Sequence, residues 1–244
     1  VSDHTQTNWN GVIGDLSLRV RPTLYIDHVR LDPDAGQKKV LVRVCLAGKT
    51  DSADGELLLQ AENSDGTPVG KAVRLTAEKG NQELKAEVDL GDQVRLWSAE
   101  TPDLYRMRVI LNTPQGADEQ IVSFGFRDFR AQGTRFEING RPVFLRGTLE
   151  CCVFPLTGYP AMDKDYWKKI YGKCKEYGLN HVRFHSWCPP EAAFSVADSM
   201  GLYLQVECGA WAEVGSGLPQ DEWIRQEGDR ILKEYGNHPS FYRR

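Results

Sequence analysis

The sequence predicts a multidomain β plus α/β chain: an immunoglobulin-like β-sandwich followed by the first part of a (β/α)8 TIM barrel. Two rhythms predict it. Short alternating strands separated by turn residues run from Thr23 to Phe126, and from Val143 onward strands alternate with helices. The change falls in Phe136–Glu150, FEINGRPVFLRGTLE. Asn139-Gly140 supplies the positive φ angles of a tight hairpin. The apolar run Val143-Phe144-Leu145 reads as a strand buried on both faces, and Arg146, Gly147, Thr148 and Glu150 form a polar cluster at its tip. Barrel chemistry sits at the C-terminal ends of strands, so such a tip marks the entrance to a site.

The β region has seven or so strands. Leu24 to Leu31 is closed by Asp32-Pro33-Asp34-Ala35-Gly36. Lys39 to Leu46 places Val40, Val42 and Val44 on one face and Leu41 and Arg43 on the other. Glu56–Glu62, Gly70–Ala77, Gln82–Leu90, Leu104–Asn112 and Glu119–Phe126 follow, with turns at Asn63-Ser64-Asp65-Gly66 and Pro114-Gln115-Gly116. This spacing over about 100 residues is that of an immunoglobulin-like sandwich, without the Cys…Trp…Cys pattern of antibody domains. Upstream, Val12 to Val20 reads as one strand entered through Gly14-Asp15, which must pair with the following sheet or end another domain. The expected domains are therefore 1–20, 21–128 and 129–244.

In the last domain, Asp163–Tyr177 reads as a helix with Asp163 as N-cap and Gly178 at C′. Asn180–Phe184 is a second strand, Pro190–Met200 a helix ended by Gly201, Leu202–Val206 a third strand, and Asp221–Tyr235 a third helix stopped by Gly236. Strands joined this way are parallel with right-handed crossovers. Three β-α units do not close a barrel of eight strands. An unpartnered third strand exposes an open edge and invites self-association, so continuation of the protein past Arg244 is expected.

The strand tips carry the candidate site: Arg146 and Glu150 on the first, Arg183, His185 and Trp187 on the second, Glu207 and Trp211 on the third. Tryptophan stacks on sugar rings, and Arg, His and carboxylates bond hydroxyls, so a mouth built from these residues suits a carbohydrate. Each has a plainer reading: Arg183 as an ion-pair partner, Trp211 as core, Glu207 as the partner that a buried Arg183 or Arg146 requires. Glu150 and Glu207 would serve as a catalytic carboxylate pair only at the separation glycoside hydrolysis needs, which sequence does not fix. His181, His185 and Glu207 lack the spacing of a metal motif, so no metal or organic cofactor is expected.

Composition narrows the classes. The 244 residues are 41% hydrophobic and 26% charged with a net charge of −4, which argues against a nucleic-acid binder. No apolar run of about 18 residues indicates a transmembrane helix, so no membrane partner is expected, and no signal peptide is visible at Val1. Cys45, Cys151, Cys152, Cys174, Cys188 and Cys208 form no CxxC pair. Cys151-Cys152 could ligate metal or form a vicinal disulfide, but buried free thiols are the expectation.

The motifs, in order, resemble glycoside hydrolase family 2, the family of β-galactosidases, β-glucuronidases and β-mannosidases. Asn8-Trp9-Asn10-Gly11-Val12-Ile13-Gly14-Asp15 is similar to the end of its jelly-roll sugar-binding domain. Leu96-Trp97-Ser98…Thr101-Pro102-Asp103-Leu104-Tyr105 and Gly125-Phe126-Arg127 resemble its immunoglobulin-like domain. Phe136…Asn139-Gly140-Arg141-Pro142-Val143…Arg146-Gly147, Asn180-His181-Val182-Arg183, Asp198…Gly201-Leu202-Tyr203…Glu207 and Asn237-His238-Pro239-Ser240 resemble its barrel. The resemblance implies a retaining exo-glycosidase acting on terminal glycosidic bonds. It also implies that both catalytic glutamates lie beyond Arg244, so that the chain itself has no catalytic residue and is inactive. Its substrate contacts would be chiefly Arg146, Arg183, His185 and Glu207. Phe184-His185-Ser186-Trp187-Cys188-Pro189-Pro190 stands where better-known members have Ser-His-Tyr-Pro, and Tyr242-Arg243-Arg244 departs from the apolar strand expected there; β-galactosidase activity is therefore not expected. The alternative is a non-catalytic carbohydrate-binding or interaction module. Free cysteines fit a cytoplasmic interior, while export of polysaccharide-degrading relatives favours a periplasmic or secreted location.

Overall fold

The computed structural model describes residues 11–50, 54–209, 214–215 and 217–242. The chain divides into two compact units: Leu18–Arg141 in one, Pro142 onward with the N-terminal residues up to Ser17 in the other.

In the first unit, β1 (Leu24–Asp34), β2 (Lys39–Gly48), β3 (Gly55–Asn63), β4 (Pro68–Ala77), β5 (Glu83–Asp89), β6 (Tyr105–Thr113) and β7 (Gly116–Phe124) match the strands expected from alternation. They form two sheets, β1-β2-β5 and β4-β3-β6-β7, whose pairings are antiparallel. Alternation fixes which side chains go inward. Val40, Val42 and Val44 of β2, Leu57 and Leu59 of β3, and Met107, Val109 and Leu111 of β6 are fully buried in one shared core. Each such side chain contributes about 1.5–3 kcal/mol by leaving water. Glu62, the buried charge of this unit, is held by Arg108 Nε at 2.6 Å.

A hairpin, β8 (Phe129–Gln132) and β9 (Arg135–Ile138), continues this unit. The Asn139-Gly140 turn behind it has φ of 52° and 75°, the left-handed pair expected. Asn139 also ties the hairpin to the rest of the first unit: its Nδ2 donates to Trp97 O at 3.1 Å, and its Oδ1 accepts from Asp128 N at 2.9 Å. The described residues 11–22 form no strand, contrary to the reading of Val12–Val20. Leu16, Leu18 and Val20 are at least 90% exposed. Alternation cannot hold a strand that finds no ladder partner and no core to cover.

The second unit has a parallel sheet of β11 (Gly147–Glu150), β12 (His181–Phe184) and β13 (Tyr203–Val206), entered through the short β10 (Arg141–Val143). The helices are α1 (Lys164–Glu176), α2 (Glu191–Met200) and α3 (Pro219–Tyr235). Asp163 caps α1 by accepting from Tyr166 N at 2.8 Å. Gly201 ends α2 at φ 69°, a left-handed position that glycine takes without strain. Asp221 reaches back over the start of α3 to accept from Gly217 N and Leu218 N. Phe184, Phe194, Ala197, Leu202 and Leu204 are fully buried between sheet and helices.

Two expectations for this unit need correction. Val143–Leu145 is not the first parallel strand: Phe144 is 77% exposed, and the strand begins at Gly147. The side chain of Asn180 diverts this segment, accepting from Arg146 N at 2.8 Å and donating to Phe144 O at 3.2 Å. The register is then fixed by size. A Cβ at Gly147 would lie 2.4 Å from His181 Nδ1, so only glycine fits beside this imidazole. The far edge of β13 is also not wholly open. Leu204 N donates to Ser240 O at 2.8 Å, and Leu204 pairs with Phe241 in a parallel bridge.

That bridge is held in place by a buried charge cluster. His238 Nδ1 lies 2.6 Å from Asp198 Oδ2, and its Nε2 lies 3.0 Å from Glu191 Oε2. Asp198 Oδ1 accepts from Ser240 N at 3.0 Å, and Phe194 stacks on the imidazole. Burial opposes a charge on His238, but Asp198 and Glu191 outweigh it and raise its pKa from 6.5 to about 10. Burial of Glu191 is likewise outweighed by its bond to His238, which lowers the carboxyl. A raised imidazole stabilises the fold fully below its unfolded pKa of 6.5, and the gain is lost as pH rises through about 10. The lowered Glu191 carboxyl stabilises above 4.5, and that gain is lost as pH falls. Thermal unfolding of the second unit should therefore be highest between these limits and decline toward alkaline pH. His238→Ala should abolish the alkaline decline and cost about 3–5 kcal/mol, because it strands a buried carboxylate.

Candidate functional site

Successive side chains of a strand point to opposite faces of its sheet. The register places Glu150 beside Phe184 and Val206, and Leu149 beside Arg183 and Gln205. Phe184 is fully buried and meets Trp167 of α1, so its row faces the helices. Arg183 and Gln205 belong to the opposite, open face.

On that open face the C-terminal ends of β12 and β13 are joined by Glu207. Arg183 Nε and Nη2 both reach its Oε1 at 2.6 Å. Its Oε2 accepts from Ser186 N at 2.8 Å. Burial alone would raise this carboxyl; the Arg183 bond, the Ser186 amide and the charges of Arg183 and His185 outweigh it and lower the pKa. Glu207 is thus a fixed anion. Ser186 has φ 58°, rare for a residue with a side chain, and its Oγ lies 3.2 Å from His185 Nδ1. His185 N continues the ladder by donating to Glu150 O at 2.8 Å. Deeper on the same face, Tyr242 Oη donates to Gln205 Oε1 at 3.4 Å and lies 3.1 Å from His181 Nε2. Arg183, His185, Ser186 and Glu207 are therefore one hydrogen-bonded group, and Gln205, Tyr242 and His181 form a second one on the same face.

Glu150 lies on the helix side. Its Oε2 accepts from Cys152 N at 3.0 Å, across a left-handed Cys152 with φ 58°. Burial raises its pKa, only partly offset by the amides of Cys152 and Val153 and by Trp187. The indole of Trp187 packs edge-on against Phe154 and Phe184, with ring centroids 5.9 and 5.4 Å away. Its N–H is buried without a well-formed hydrogen bond, although it still favours the charged form of Glu150. Trp187 is packed into this aromatic layer.

Of the residues expected at one mouth, the structure thus brings together Arg183, His185 and Glu207 and separates Glu150 and Trp187 from them. Arg146 stands at the other end: it precedes β11, and its Nε donates to Gly178 O at 2.7 Å in the loop before β12. A strand over Val143–Leu145 would put Arg146 at its tip; with β11 starting at Gly147, Arg146 precedes the sheet. Trp211 lies outside the described residues. With Glu150 and Glu207 turned to opposite faces, the two carboxyls are not presented to one substrate. Ser186, Gln205 and Tyr242 were missed; a count of alternate positions from Arg183 and Glu207 would have found Gln205. Among the described residues, no three His, Cys, Asp or Glu side chains cluster as a metal site. All six cysteines are free thiols, and burial pushes Cys152 and Cys188 up to about 12, away from nucleophilic thiolates.

The fold is that of solved β-glucuronidases. A TM-score of 0.73 relates it to the Parabacteroides merdae enzyme at 20% identity, over 90% of this chain and 28% of that one. The apo β-glucuronidase 3 of Bacteroides uniformis gives 0.74 at 21% identity, over 91% and 28%. Curated relatives include β-galactosidases of Enterobacter cloacae, 24% identical, and Oenococcus oeni, 26% identical, each over 98% of this chain. The chain spans about a quarter of the length of these relatives, 25% in both cases. Residues 24–127 match the family model described as glycosyl hydrolases family 2. That match covers the region in which the strand spacing and the Leu96–Tyr105 and Gly125–Arg127 motifs resemble this family.

The helix-side position of Glu150 makes a testable difference. Its raised carboxyl favours the fold below the ordinary value of 4.5 and loses that advantage as pH rises. Glu150→Gln keeps an acceptor for the Cys152 amide without the buried charge. It should match or exceed the parent in melting temperature at neutral pH. Glu150→Ala should lose about 1–3 kcal/mol by leaving that amide unpaired.

Proposed function

We propose that the first unit is an immunoglobulin-like brace and that the second is the opening of a (β/α)8 barrel. The whole protein of which they are part would be a retaining exo-glycosidase that hydrolyses terminal glycosidic bonds. The observation that carries this reading is the Arg183–His185–Ser186–Glu207 group at the C-terminal ends of β12 and β13, where barrel chemistry is sited. The family match over residues 24–127 and the β-glucuronidase-like fold support it. In this reading Arg183, His185 and Glu207 contact sugar, and neither glutamate of the reaction is in the 244 residues. Hydrolysis needs two carboxyls facing one bond, and Glu150 and Glu207 face apart, so the chain alone is inactive. β11 pairs only with β12 among the described strands, and its free edge is where the isolated chain would self-associate.

The test compares the 244-residue chain with a version extended to the length of the relatives. The extended protein should release aryl alcohol from aryl β-glycosides, and the 244-residue chain should give none while showing dimers or larger species by light scattering. Turnover by the short chain that is lost in Glu207→Gln would overturn the assignment of Glu207 to contact alone. An inactive extended protein with sugar affinity would favour a binding module.

A further inference from the structure

Glu207 makes more bonds than a simple ion-pair partner needs. One oxygen is occupied by the Arg183 guanidinium at 2.6 Å. The other is occupied by the amide of Ser186 at 2.8 Å, on the neighbouring strand's exit. Ser186 is left-handed at φ 58°, a conformation a residue with a Cβ adopts at a cost and keeps only where its surroundings hold it. The residue before it, His185, is fixed at one end by the Glu150 carbonyl and at the other by Ser186 Oγ beside its Nδ1. The chain of contacts therefore runs from Glu207 through a strained turn to the imidazole.

We propose that Glu207, beyond its own contact with sugar, is a positioning residue: by holding the Ser186 turn and Arg183 together, it sets the orientation in which His185 and Arg183 meet a carbohydrate. The proposal rests on the sugar-contact reading above, but its mechanical part stands on β12, β13 and their exits alone. The carboxylate acts as a spacer between two strand ends. It substitutes for ladder bonds at the point where β12 turns away from the sheet. Its chemistry is that of an acceptor with two fixed donors, and no proton moves through it. Both donors come from β12 and the turn after it, so the group is assembled within β12 and β13 and needs no further strand to form.

The experiment is an NMR study of the 244-residue chain, observing the Ser186 amide and the His185 ring, with galactose and glucuronate as probes. In Glu207→Ala both signals should move. Sugar-induced shifts at His185 should weaken at least about tenfold, the scale of one lost charge-assisted bond. Adding Ser186→Gly should return the His185 ring signals toward the parent, because glycine takes positive φ without strain. A purely structural Glu207 would lower the melting temperature without such a local signature, and Ser186→Gly would not repair it. Glu207→Gln serves if Glu207→Ala does not fold: its amide oxygen should keep the Ser186 signal in place while the Arg183 side-chain signal moves. Unchanged Ser186 and His185 signals in Glu207→Ala, or in Glu207→Gln an unmoved Arg183 signal, would overturn the proposal. If neither sugar shifts any signal of the parent chain, the carbohydrate reading fails, while the response of His185 and Ser186 to Glu207→Ala still decides the positioning role.

Discussion

A parallel ladder turns each side chain away from the last, and the second unit depends on this constraint. Gly147, His181 and Tyr203 share one register row, so a single slip of β11 would exchange the open face for the helix face. The fit of Gly147 under the His181 ring blocks that slip sterically. Once the register is set, Arg183 and Gln205 are committed to the open face, and Glu150, Phe184 and Val206 to the packed one. The division of the two carboxyls follows. Glu150 becomes a desolvated acceptor that braces a loop, and Glu207 an anion with a lowered pKa that links the strand ends.

Much of the fold is legible in the sequence because its signals are local. Val40, Val42 and Val44 declare the inward face of β2, Asn139-Gly140 the tight turn after β9, and Asp163, Gly178 and Gly201 the helix ends. These features need only neighbours a few residues away. The first parallel strand was misplaced because its start is set by a residue about thirty positions later: Asn180 takes the amide of Arg146 and the carbonyl of Phe144, and His181 demands glycine at 147. An apolar triplet such as Val143-Phe144-Leu145 satisfies a strand pattern equally well, and only the long-range contacts choose between the two. Val12–Val20 failed for the converse reason, since among the described residues its alternation has no partner to make it a ladder.

The candidate site was legible in composition but not in geometry. The residues Arg183, His185 and Glu207 could be picked out as a polar group at strand ends. Which face each occupies depends on parity, and parity depends on where the strand begins. Misplacing β11 put Arg146 at the wrong end of the sheet. Glu150 was grouped with Glu207 because both stand at strand tips, although it shares its row with Phe184 and Val206. The buried set of Asp198, Glu191 and His238 had a different fate. Asp198 and His238 both stand in the barrel-like motifs, yet their bond joins α2 to the segment that bridges Leu204, and neither spacing nor periodicity foretells it.

The central claim is that the two carboxyls at the strand ends sit in opposite environments. Carbon-13 NMR titration of the Glu150 and Glu207 side chains in the intact chain tests it most directly. The account predicts that Glu150 titrates above the ordinary value of 4.5 and Glu207 below it. The reverse order, or two carboxyls that titrate together as a coupled pair, would contradict the assignment of faces and restore a shared site for both.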